Sequence, residues 1–161
     1  MPAVEPLAGN AAGVPYVAFP PAGGARPNAP MIVAWHPFDP PRSETALAAA
    51  LPLDGVDAWR FYVGLPLSGK RLPNGGLDGL MELILDDAVL RVHGPVSTQA
   101  VAEFGPALAT VRSEYGIEAG PLGLLGGSLG GGSPRWTGPQ TADAAAVERL
   151  ATEWFARHLD S

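Results

Sequence analysis

The serine in Gly126-Gly127-Ser128-Leu129-Gly130 stands directly behind the apolar run Pro121-Leu122-Gly123-Leu124-Leu125. This reads as a buried strand entering a sharp turn with Ser128 at the apex, where flanking glycines let two backbones pass closely. A serine held that way can attack an acyl carbon, provided a base takes its proton and N–H groups receive the oxyanion. The base must come from His36, His93 or His158, the three histidines of the chain. His93, in Val92-His93-Gly94-Pro95, falls at a turn between two helices and suits a structural role. His158 follows Ser128 and is a candidate base. Its place one turn after Trp154, near a helix end, suits a solvated histidine favoured by the helix dipole better. Asp143 and Glu148 also follow Ser128, but fit a helix start and a solvent face.

Other chemistries find less support. Adjacent helical residues point apart, so Asp86-Asp87 reads as a solvated face rather than a carboxylate pair. With no cysteine and scattered histidines, no zinc spacing is present, and neither a metal nor a cofactor is expected. The glycines from Gly126 to Gly132 lack both Gly-Lys-Ser/Thr and a G-x-G-x-x-G register leading into a helix, which argues against a nucleotide site.

The elements that must position these groups follow from punctuation and periodicity. Strands are expected at Val14–Phe19, Met31–Trp35 and Trp59–Leu65, with the elbow strand at 121–125. Pro15 has no amide donor, so the first of these strands should lie at a sheet edge. Ser43 reads as the N-cap of a helix through Ala50, ended by Pro52. Leu80–Val92 suits a second helix. A third runs from Ser97 or Thr98 to Tyr115, kinked at Gly105-Pro106 and ended by Gly116, with Val101, Phe104, Leu108, Val111 and Tyr115 on one face. Gly130–Pro134 carries no helical signal. Thr141 caps the last helix, whose stripe is Val147, Leu150, Ala151, Trp154 and Phe155. This order of elements predicts an α/β protein with a mostly parallel sheet and flanking helices.

Composition sets the outer limits. The 161 residues make one domain by size, and a 47% hydrophobic share with 16% charged residues is globular. The 21 glycines and 18 prolines imply many loops. A formal net charge of −6 argues against a nucleic-acid partner, which needs a basic face. No run is long enough to span a bilayer and the N-terminus lacks a signal-peptide pattern, so no membrane association and a cytoplasmic location are expected.

Three pieces of the chain resemble the α/β-hydrolase family, particularly its small bacterial esterase-like serine hydrolases. Met31–Pro40 is similar to the strand and loop that supply one oxyanion donor, Ile117–Gly131 to the elbow strand and nucleophile turn, and Gln140–Leu159 to the last helix. The resemblance implies a truncated three-layer sandwich in a single domain, residues 1–161. It comprises an N-terminal sheet half with the nucleophile elbow (1–131), a linker (132–140) and a C-terminal helix (141–161), the region between elbow and last helix being deleted. It implies Ser128 as nucleophile, with the Leu129 amide as one oxyanion donor. Pro37 has no N–H, so Phe38 would supply the other. His36 would shape that loop through a hydrogen bond, or simply pack at the strand end. The family order places the acid and then the histidine before the final helix. This chain has no histidine there, so the triad is incomplete. The expected activity is weak hydrolysis of small carboxylic esters through an acyl-enzyme on Ser128. The alternative is an inactive α/β scaffold that self-associates. In either case the missing sheet half should leave an open strand edge and drive formation of a homodimer or higher oligomer.

Overall fold

The computed structural model describes residues 5–126 and 142–159. Among the described residues, five strands and four α-helices follow in the order β1 (Leu7–Ala11), β2 (Val14–Phe19), β3 (Met31–Trp35), α1 (Glu44–Ala50), β4 (Trp59–Val63), α2 (Gly76–Ala88), α3 (Gly94–Tyr115), β5 (Leu122–Gly126) and α4 (Ala142–Leu159). The strands form one open sheet in the order β1-β2-β4-β3-β5. The fold is α/β, but the sheet is mixed rather than mostly parallel. β1 pairs with β2, and β2 with β4, in antiparallel ladders. β3 is parallel to both β4 and β5. Only the strands separated by helices run parallel, as crossovers require, whereas β1 and β2 are joined by a two-residue hairpin.

That hairpin escaped the sequence reading because β1, Leu-Ala-Gly-Asn-Ala, has no apolar alternation and is largely exposed. Ala12 and Gly13 turn it at φ 50° and 89°, the left-handed pair that matches strand twist. The Gly13 N–H donates to Asn10 Oδ1 at 2.8 Å. β1 therefore takes the edge, and β2 with Pro15 lies between β1 and β4, against expectation. Pro15 is tolerated there for a specific reason. Its carbonyl accepts from Gly64 N–H at 2.8 Å, so its nitrogen faces Gly64 as well. The Gly64 carbonyl, left without a donor from proline, accepts from Arg71 Nη1 at 3.2 Å instead.

Side chains alternate across the sheet. On one face Tyr16, Met31, Val33, Trp59 and Phe61 pack under Ala107 and Val111 of α3. On the other, Val17, Ala34 and Tyr62 meet Leu47 and Ala48 of α1, and Ile32 and Ala58 meet Phe155 and Leu159 of α4. Gly123 makes room for α4: a Cβ there would lie 2.5 Å from Phe155 Cε1. Ser43 caps α1 by accepting from Ala46 N–H at 3.1 Å.

The remaining helices differ from expectation in instructive ways. α2 starts at Gly76 and does not continue through Val92, because Asp87 leaves the helical region. Its carboxylate instead accepts from the amides of Val89 and Leu90, capping a π-helical turn at Val89–His93. α3 begins at Gly94, with Pro95 in its first turn, and is one 22-residue span across Pro106. Phe104, Leu108 and Tyr115 of its expected stripe pack on the sheet, but Val101 is 79% exposed. In α4, Phe155 is buried while Val147, Leu150 and Trp154 are exposed. The Thr141 cap and the 132–140 linker lie outside the described residues.

Candidate functional site

Parallel strands bring their carboxyl ends to one edge of a sheet, which is where open α/β folds place ligands. β3 and β5 are neighbours in register, with Trp35 opposite Gly126. The chain thus leaves both strands at the same level. A cleft of about 440 Å³ opens there on the α3 side. Trp35, Leu65, Val96, Ala100, Val101, Phe104 and Leu124 give it apolar walls, and His36, Ser97 and Gly126 complete the lining. No residue of the lining carries a carboxylate, ammonium or guanidinium group, so the cavity suits an uncharged apolar group. The exposed Ser97 hydroxyl had no distinguishing signal in the sequence.

His36 occupies the first position after β3 and is 1% exposed. Its Nδ1 bonds the Pro37 carbonyl at 2.8 Å, and its Nε2 accepts from the Leu65 amide at 3.0 Å. A backbone N–H must donate, so Nε2 is unprotonated and Nδ1 carries the hydrogen. The imidazole bridges the loop after β3 to the loop after β4 and has no nitrogen left for proton transfer. Burial lowers its pKa, against the smaller opposing effects of the Pro37 bond and the nearby Glu44 carboxylate. Glu44 itself is 3% exposed at the start of α1.

Phe38 packs against the cluster of Leu65, Leu80, Val92 and Val96, and its ring meets the His93 ring edge-on at 6.0 Å. Among the described residues, the Phe38 amide has no acceptor. Arg71 ties α3 to this end of the sheet, pairing with Glu103 and donating to the Gly64 carbonyl. Partial burial raises the Glu103 pKa, but hydrogen bonds from Arg71 and Gln99 outweigh it and hold the carboxyl below its ordinary value.

The structure does not bring His158 to the cleft. α4 packs on the opposite face of the sheet, and Leu159 beside His158 joins Leu53, Val56 and Ala58 at the amino end of β4. His158 Nδ1 bonds the Trp154 carbonyl at 2.7 Å and its ring stacks on Trp154. Asp86 pairs with Arg91 at 3.2 Å. Among the described residues, no group of three His, Cys, Asp or Glu side chains could hold a metal, and no helix is long and apolar enough to cross a membrane. Ser128 and Leu129 lie outside the described residues. Comparison with family models, with curated proteins and with solved structures gave no match.

Proposed function

We propose that this protein is a serine hydrolase of the α/β-hydrolase type that acts weakly on small carboxylic esters. The observation that supports this reading is the register of β3 and β5, which ends the two strands at one level, with His36 and Gly126 both lining an apolar cleft. In this reading Ser128 Oγ attacks the ester carbonyl carbon, while the amides of Leu129 and Phe38 receive the oxyanion. The alkoxide departs with a proton, and water then attacks the acyl-enzyme to release the acid and restore the serine. The acyl group occupies the cleft. His36 acts by holding the Phe38 loop, through its two hydrogen bonds. With His36 committed and His158 across the sheet, His93 beside Phe38 is the base to test. A serine without an efficient base retains the contribution of the oxyanion site and binding alone, about 10³–10⁴-fold over water in complete enzymes.

A second reading has its own support. No histidine with an uncommitted nitrogen lines the cleft among the described residues. That favours an inactive α/β scaffold. Hydrolysis of p-nitrophenyl acetate by the native protein and by Ser128→Ala separates the two. The hydrolase reading predicts a rate above background that the substitution removes. The scaffold reading predicts equal rates.

A further inference from the structure

We infer that the outer edge of β5, unpaired among the described residues, is an interface for a second copy of this chain, joined by an antiparallel β5–β5 ladder about a two-fold axis at Leu124. The backbone decides which groups are available. The Pro121 carbonyl accepts from Met31 N–H at 2.9 Å, and Leu122 is level with Met31 in a parallel ladder. Residues 121, 123 and 125 therefore bond toward β3, and Leu122, Leu124 and Gly126 turn their peptide groups outward. Around a two-fold axis at Leu124, the Leu124 N–H of each copy meets the Leu124 carbonyl of the other, and Leu122 pairs likewise with Gly126. The edge is self-complementary, as an isologous contact requires.

Nothing in β5 guards this edge. Its sequence, Leu-Gly-Leu-Leu-Gly, contains no charge and no proline, the devices that otherwise discourage edge pairing. The layers on both faces of the sheet continue the apolar surface. On the α3 side, Leu124 is 55% and Val101 79% exposed. On the α4 side, Val147, Leu150 and Trp154 follow at spacings of three and four, along one flank of the helix. Thr152, on the other flank, lies against Gly55 in the connection to β4, since a Cβ on Gly55 would sit 2.8 Å from its methyl group. β4 and β5 lie on opposite sides of β3, so the apolar flank points beyond the free edge.

The size of this flank is near that of a small dimer interface. The 18 residues of α4 extend about 27 Å, and the α4 and sheet layers of about 10 Å each give roughly 540 Å². That approaches the lower end of what each partner contributes to a standard interface. An axis normal to the sheet keeps like layers together, so α4 meets α4 and Leu124 meets its counterpart at the rim of the cleft. Val101 and Leu124 both line the cleft and are exposed, so in the dimer the second copy adds to the cleft on this side. This inference does not depend on Ser128 chemistry.

The chain has no cysteine, so Leu124→Cys carries a single thiol that can cross-link only to its own counterpart. Under mild oxidation at micromolar concentration it is expected to yield a disulfide-linked species of twice the chain mass, while Asp86→Cys on α2 does not. By light scattering the native protein is expected to be a dimer. Leu124→Pro, which removes the central outward N–H but no bond to β3, should weaken it about tenfold or more with an unchanged far-ultraviolet spectrum. A monodisperse native monomer at micromolar concentration overturns the inference. So does equal cross-linking of the two cysteine variants, or none in Leu124→Cys. Should Leu124→Pro fail to fold, the cysteine pair still decides.

Discussion

Replacing His36 by alanine tests whether this imidazole holds the loops at the carboxyl ends of β3 and β4 together. The substitution leaves the buried Leu65 amide without its acceptor, 3.0 Å away in the native protein, at about 1–3 kcal/mol. It also removes a ring that is 1% exposed, and the void adds to that loss. Together these effects predict a destabilisation of roughly 3–5 kcal/mol, or about 6–20 °C in Tm for a chain of this size. Urea unfolding should show a lower midpoint at an unchanged slope. His36→Gln, whose amide oxygen can accept from Leu65, should recover about 1–2 kcal/mol of the loss. The pH dependence supplies an independent check. Burial lowers the His36 pKa below its ordinary value of 6.5, so the unfolded chain binds the proton more readily. Stability is then fully present above pH 6.5 and falls with pH below it, by at most about 1.4 kcal/mol per unit, until the folded-state pKa is passed. Both variants should lose this segment of the profile. An alanine variant within about 0.5 kcal/mol of the native protein, or a glutamine variant no better than alanine, would refute the reasoning.

Three further outcomes are expected. Gly123→Ala places a methyl 2.5 Å from Phe155 Cε1 and should destabilise by about 1–3 kcal/mol, read as a lower Tm, by pushing α4 off the sheet. Arg71→Ala removes the partner that holds the Glu103 carboxyl below its ordinary range. The native protein loses this contribution as pH falls from about 4.5 through the folded-state pKa, and acid titration of the variant should show that step reduced, the Gln99 bond remaining. Should the protein hydrolyse esters, Ala100→Phe narrows the cleft. KM for longer acyl chains should rise about 4-fold for each methylene excluded, with p-nitrophenyl acetate little affected.

The sequence was legible where burial is symmetric about an element. Met31–Trp35 is a continuous apolar run because helices cover both of its faces, and Ser43 announces α1 by a cap that the structure contains. It was misleading where a pattern has no partner to meet. Val101, Val147, Leu150 and Trp154 carry proper helical spacing, yet they are exposed, and among the described residues no strand follows β5. β1 was invisible, since an exposed edge strand needs no apolar alternation, and without β1 the placement of Pro15 could not be read. Of the site, His36 announced itself by following a buried strand, but its two bonds depend on Leu65, brought near only by the ladder between β3 and β4. The cleft was not legible at all. Its walls come from β3, α3, β5 and the loop after β4, and no local signal links them.

Fluorophosphonate labelling reports whether Ser128 is an activated nucleophile. The serine oxygen displaces fluoride from phosphorus, and the product is located by peptide mass mapping. A single adduct is expected on Ser128, absent from Ser128→Ala, together with ester hydrolysis that disappears in the same variant. No adduct, or an adduct on another residue with hydrolysis unchanged by the substitution, would contradict it.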